Sequence, residues 1–122
     1  MIKKIIEKKV SLDDIPDANK GGNCYQVAFD TLFSKPGAKL VHGVVLGQGP
    51  LEGIEFTHAW VEDGDTVIDN TQPVGRNEFP KVVYYLIGHI DITREYTRAK
   101  AIENATRTGH YGPWDKVFDN YL

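Results

Sequence analysis

Cysteine is almost missing from this chain. Of its 122 residues only Cys24 carries a thiol, so no internal disulfide can form. An oxidising compartment offers such a fold nothing, and a cytoplasmic protein is expected, encoded by a cell or by something that infects one. Long apolar runs are also lacking: none approaches the roughly 20 residues of a membrane span. The start, from Met1 to Glu7, is charged but has neither a long apolar region nor a small-residue cleavage site, so no secretory leader is expected. No charge of one sign dominates. A formal net charge of −3 gives no electrostatic case for nucleic acid or a membrane surface as partner. Repeats, low-complexity tracts and linkers are absent, which leaves a single domain over 1–122, long enough to bury a core without staples.

What is present begins with a glycine loop that breaks into a helix at the lone thiol. Gly21 to Phe29 reads as loop and then helix, with Asn23 suited to an N-cap and Gln26 placed where a capping-box partner reaches back. Tyr25, Ala28, Phe29 and Leu32 follow helical spacing, and Pro36-Gly37 stops the run. Cys24 would be the first helical residue, where orphan N–H groups and the positive end of the macrodipole favour an anion. That position turns a thiol into a nucleophile.

The remaining pattern is mostly β. Lys39 to Leu46 and Ile54 to Glu62 read as strands, Asp63-Gly64 as a hairpin turn, and Asp65 to Asn70 as the returning strand. Lys81 to Ile92 reads as a third long strand, apolar enough from Val82 to Ile87 for a central position covered on both faces. A helix is expected between Thr93 and Thr108 with Ala99, Ile102 and Ala105 toward the core, and Asp115 to Leu122 as a short tail with one helical turn. Residues 1–10 interleave lysine with Ile2, Ile5, Ile6 and Val10 and fit an edge strand or a short helix equally. The class is α+β: an N-terminal helix bearing the cysteine, packed on a central antiparallel sheet, with a C-terminal helix.

Thiol chemistry needs a base within reach and a third group to orient that base. With Asp63-Gly64 as a two-residue turn, Glu62 pairs with Asp65 and His58 stands opposite Asp69. Opposed side chains share a face and lie about 4.5–5.5 Å apart at Cβ, close enough for an imidazole–carboxylate pair. A three-residue loop would place Asn70 opposite His58 instead, and an amide can orient a histidine too.

These residues resemble a known group. Cys24 at a helix start, His58-Ala59-Trp60-Val61-Glu62 on one strand and Val67-Ile68-Asp69 on the next look like the transglutaminase-like cysteine hydrolase superfamily. That superfamily is a permuted relative of the papain fold with the chain order Cys, His, Asp. The likeness covers Gly21 to Asn70 and implies a papain-like or transglutaminase-like core. It also implies cofactor-free acyl chemistry on a protein, peptide or small amide or ester: hydrolysis, deamidation or transfer to an amine. Cys24 would be nucleophile, His58 base and Asp69 orienter. Tyr25 stands where transglutaminases proper commonly have tryptophan, and the chain is far shorter than theirs.

An oxyanion hole is expected at the Cys24 backbone N–H, with Asn19, Asn23 and Gln26 as candidates for a second donor. Trp60, on the face of His58, and His110 and Trp114, in an aromatic loop with glycine hinges, are candidates to line a substrate cleft; ordinary packing also accounts for them. His42 and His89 read as structural. Cys24, His58 and Asp69 suit zinc chemically, but no close Cys/His spacing supports a metal, and a triad ranks above it. Lys3, Lys4, Lys8 and Lys9 read as a solvated face, and Glu95 and Glu103 dilute Arg94, Arg98 and Arg107. Beside the enzyme stand two other readings. One is a non-catalytic binding or inhibitor module on the same fold, of phage or mobile-element type. The other, ranked last, is a nucleic-acid binder, which needs a basic face that the composition does not advertise.

Overall fold

The computed structural model describes residues 23–122. The expectations for residues 1–22, Asn19 among them, lie outside the described residues. Helix α1 (Cys24–Leu32) is followed by strand β1 (Lys39–Leu46), strand β2 (Glu55–Asp63) and the short strands β3 (Thr66–Ile68) and β4 (Glu78–Pro80). Helix α2 (Lys81–Ile87), strand β5 (Thr93–Tyr96) and helix α3 (Arg98–Thr108) complete the regular elements, and a 3-10 turn spans Lys116–Tyr121. The sheet has the order β4-β3-β2-β1-β5 with every neighbour antiparallel. This is an α+β architecture. No helix among the described residues is long and apolar enough to cross a membrane.

Alternation along β1 and β2 divides the core between the two faces of the sheet. Leu40, Ala59, Val61 and Ile68 meet Tyr25, Ala28 and Leu32 of α1 and Ala101 of α3 on one face. Val41, Val45, Trp60 and Val67 meet Tyr84 and Tyr85 of α2 on the other. Gly43 lies directly opposite His58 in the β1–β2 ladder, and the ring of Trp60 fills the space a side chain there would need.

Three local expectations are corrected. Asn23 adopts helical angles (φ −63°, ψ −9°) and makes no side-chain cap to α1, and Gln26 is exposed, so no capping box forms. A cap requires extended angles that fold the side chain back over the first turn. The hairpin turn is Gly64-Asp65, not Asp63-Gly64: Asp63 pairs with Thr66, Glu62 with Val67 and Val61 with Ile68. Gly64, at φ +62°, occupies the first central position, which a type II′ turn reserves for glycine. In α3 the inward face is Ala101 and Asn104, while Ala99 and Ile102 are exposed. Thr97 sets that phase by accepting a hydrogen bond from Lys100 N at 3.2 Å.

The largest correction concerns Lys81 to Ile92. Its β-branched run forms α2 rather than a central strand, and Val82 and Leu86 are 74% and 75% exposed. The cause is tertiary. Glu62 and Asp69 are buried on one face of the sheet, and Tyr85 and Tyr84 donate to them in that order. Neighbouring residues of a strand point to opposite faces, whereas neighbours on a helix are only about 100° apart. Two adjacent tyrosines can therefore serve two carboxylates on one face only from a helix. Burial of polar partners overrides the β propensity of the segment.

On the α1 face, fully buried His42 sits in an aromatic box of Tyr25, Tyr96, Trp114 and Phe118. Neither ring nitrogen has a hydrogen-bond partner among the described residues. Burial lowers its pKa to about 3, which keeps it neutral. The box fastens the 109–114 loop, in which the Gly112–Pro113 bond is cis, against Tyr25.

Leu32 is wholly buried between α1 and the sheet. Leu32→Ala is expected to cost about 2–5 kcal/mol in urea unfolding, and Leu86→Ala, on the exposed side of α2, less than about 0.5 kcal/mol.

Candidate functional site

Cys24 opens α1, and its side chain interacts with the imidazole of His58 on β2. The two come from opposite sides of the sheet. Thr57, Ala59 and Val61 face α1, and the hydroxyl of Tyr25 bonds Thr57 there; His58, Trp60 and Glu62 face the other way. They can meet because β3 is only three residues long. Its ladder with β2 ends at the Val61–Ile68 pair, so the β2 edge carrying His58 has no β3 neighbour, and the start of α1 reaches the imidazole there.

Asp69 is the first residue after β3. The hairpin register differs by two residues from the one expected, and a shift of two preserves the face. Asp69 therefore stays on the side of His58, as a diagonal rather than a direct neighbour, a spacing that long side chains still bridge. His58 Nε2 and Asp69 Oδ2 lie 2.9 Å apart. Asn70 takes the other direction: its Nδ2 donates to Thr31 Oγ1 on α1 at 2.8 Å and its Oδ1 accepts from Asn77 at 2.7 Å. Asp69, not Asn70, orients the histidine.

The Asp69 carboxylate is 1% exposed, and an unpartnered charge at such depth is prohibitively costly. It accepts at both oxygens. Oδ2 holds His58 Nε2 and the Tyr84 hydroxyl, the latter at 2.7 Å; Oδ1 takes the Thr71 backbone N–H at 3.1 Å and the Thr71 hydroxyl at 2.5 Å. One oxygen closes the turn after β3 and the other orients the imidazole. Burial pushes the carboxyl pKa up, but the charge and hydrogen bond of His58, then the bonds from Thr71 and Tyr84, hold it far below the ordinary carboxylate range. For His58 burial again opposes the charged form. The Asp69 charge and hydrogen bond, followed by Cys24, outweigh it and lift the imidazole to about 10.

Trp60 is wholly buried and lines no cleft. Its ring lies 6.2 Å from that of His58, centroid to centroid, and its Nε1 donates to Glu62 at 3.0 Å. His110 and Trp114 belong to the loop over His42: His110 Nδ1 accepts from Gly112 N and its carbonyl accepts from Trp114 Nε1. The structure thus brings Cys24, His58 and Asp69 together, and places Gln26 on the exposed side of α1. The Asp-x-Thr spacing from Asp69 to Thr71 reads in the sequence as a capped turn, and Asp69 does cap it while also meeting His58. Tyr84 is the partner that the sequence hides, because its segment has the pattern of a strand.

Among the described residues no group of three or more His, Cys, Asp or Glu side chains is arranged to hold a metal ion. No family model, curated protein or solved structure matches the chain.

The pair has a defined pH signature. A raised His58 pKa stabilises the fold fully below 6.5, and the contribution disappears as pH rises through about 10. A depressed Asp69 pKa contributes above 3.8 and is withdrawn as pH falls below it. Urea midpoints of the wild type should fall progressively between pH 6.5 and 10, and Asp69→Asn should remove most of that slope. Asp69→Ala at neutral pH should cost about 3–5 kcal/mol by stranding the buried imidazolium.

Proposed function

We propose that the chain is a small thiol-dependent hydrolase or acyltransferase of the transglutaminase-like or papain-like type, acting on an amide or ester. The observation that carries the reading is the 2.9 Å contact of His58 Nε2 with Asp69 Oδ2, with Cys24 against the same imidazole. The carboxylate fixes the proton on Nε2 and leaves Nδ1 as the nitrogen for the thiol. The chain order Cys, His, Asp and the elements that bear them also support it.

In the proposed cycle His58 already carries the proton given up by the thiol, as the imidazolium paired with Asp69. Cys24 Sγ bonds to the substrate carbonyl carbon as the carbonyl π bond opens to an oxyanion. The backbone N–H of Cys24, at the start of α1, faces the developing oxyanion. The bond to the leaving amine or alcohol breaks as His58 returns the proton to it. Water, or a second amine, then attacks the thioester with His58 as base; the C–S bond breaks and the proton returns to sulfur. Asp69 stays ionised throughout and stabilises the imidazolium.

One observation favours a second reading. Cys24 and His58 are only 7% and 8% exposed, as suits a binding module in which the trio holds the fold together. Alkylation separates the two. Cys24 is the lone thiol, so intact mass reports it alone. On the catalytic reading iodoacetamide modifies it at neutral pH at least about tenfold faster than free cysteine, and His58→Ala abolishes the acceleration. Modification no faster than free cysteine, with the fold intact, sinks the catalytic reading and leaves the binding module.

A further inference from the structure

Helix α2 sets two tyrosine hydroxyls on the sheet face that carries His58, and each ends on a different carboxylate. Tyr85 is bonded to Glu62, which also accepts from Trp60 Nε1 and pairs with Lys81 Nζ at 3.1 Å. That end is an anchor. Tyr84 reaches Asp69 Oδ2, the same oxygen that His58 Nε2 uses.

We propose that Tyr84 is a positioning residue of the site, setting the strength of the His58–Asp69 hydrogen bond by competing for Asp69 Oδ2. This rests on the reading of Cys24, His58 and Asp69 given above. An oxygen that accepts from two donors shares its charge between them, and the positive end of the tyrosine O–H dipole beside the imidazole opposes the imidazolium. The other oxygen offers no relief, because Thr71 occupies it with both its N–H and its hydroxyl. Tyr84 also remains a donor across the working pH range: burial first, then the charge and hydrogen bond of Asp69, hold its ionisation well above that of an ordinary phenol.

The ring of Tyr84 packs against Trp60 and Phe79, each at 5.2 Å between centroids, so Tyr84→Phe deletes the donor and keeps the packing. The test is the NMR resonance of the His58 Nε2 proton at neutral pH, with the titration of the same ring. Tyr84→Phe should move the resonance further downfield and the titration to higher pH. Tyr85→Phe, which loosens α2 without touching Asp69, should move neither. An unchanged resonance in Tyr84→Phe would overturn the proposal, since the hydroxyl then only packs. An upfield shift would overturn it as well, since Tyr84 then holds the carboxylate in place rather than sharing it. If Tyr84→Phe does not fold, fluorotyrosine at position 84, a stronger donor on the same ring, should shift the resonance upfield, and no shift refutes the idea. These readouts need no substrate, so slow alkylation of Cys24 would remove the acyl-transfer reading without deciding this one.

Discussion

A carboxylate sealed from water has to be neutralised and hydrogen-bonded by the protein itself, and Asp69 imposes that demand on much of this fold. Its four donors arrive from three places: His58 from β2, Tyr84 from α2, and the backbone and hydroxyl of Thr71 from the turn it heads. The turn closes β3 after three residues, and that early end uncovers the edge of β2 where Cys24 meets the imidazole. Glu62 repeats the arrangement two residues from Trp60 with Tyr85 and Lys81. Between them the two acids determine what covers this face of the sheet.

The parts of the fold legible in the sequence are those governed by local periodicity. β1, β2 and α1 follow from alternation and from 3.6-residue spacing, and the spans found match those expected within a residue or two. The His58–Asp69 pair was legible for a subtler reason. Hairpin registers differing by two residues leave the same side chains on the same face, so the expected partner survived an error in the turn. An error of one residue would have selected Asn70, whose side chain joins α1 instead.

What stayed illegible depends on partners distant in sequence. Val82 to Ile87 has the composition of a buried strand, and nothing within it says that its two tyrosines must reach acids 15 and 23 residues away. Trp60, on the same face as His58, suggested a cleft wall; its indole N–H is instead satisfied by a buried carboxylate two residues along the strand. His42 looked structural and is, but its aromatic surroundings come from α1, β5 and the C-terminal segment, which only the folded chain assembles.

Gly43 shows how far the geometry of the site reaches into residues without chemistry. It stands across the ladder from His58, and a methyl group added to its α-carbon would come within 2.5 Å of the far edge of Trp60, with the Ile92 carbonyl at 3.2 Å closing the other direction. Trp60 cannot retreat without disturbing both its bond to Glu62 and the floor beneath the imidazole. Position 43 is thus held to glycine by what its neighbour across the strand supports. The seat of the His58 ring here depends in part on a hydrogen atom where every other amino acid has a carbon.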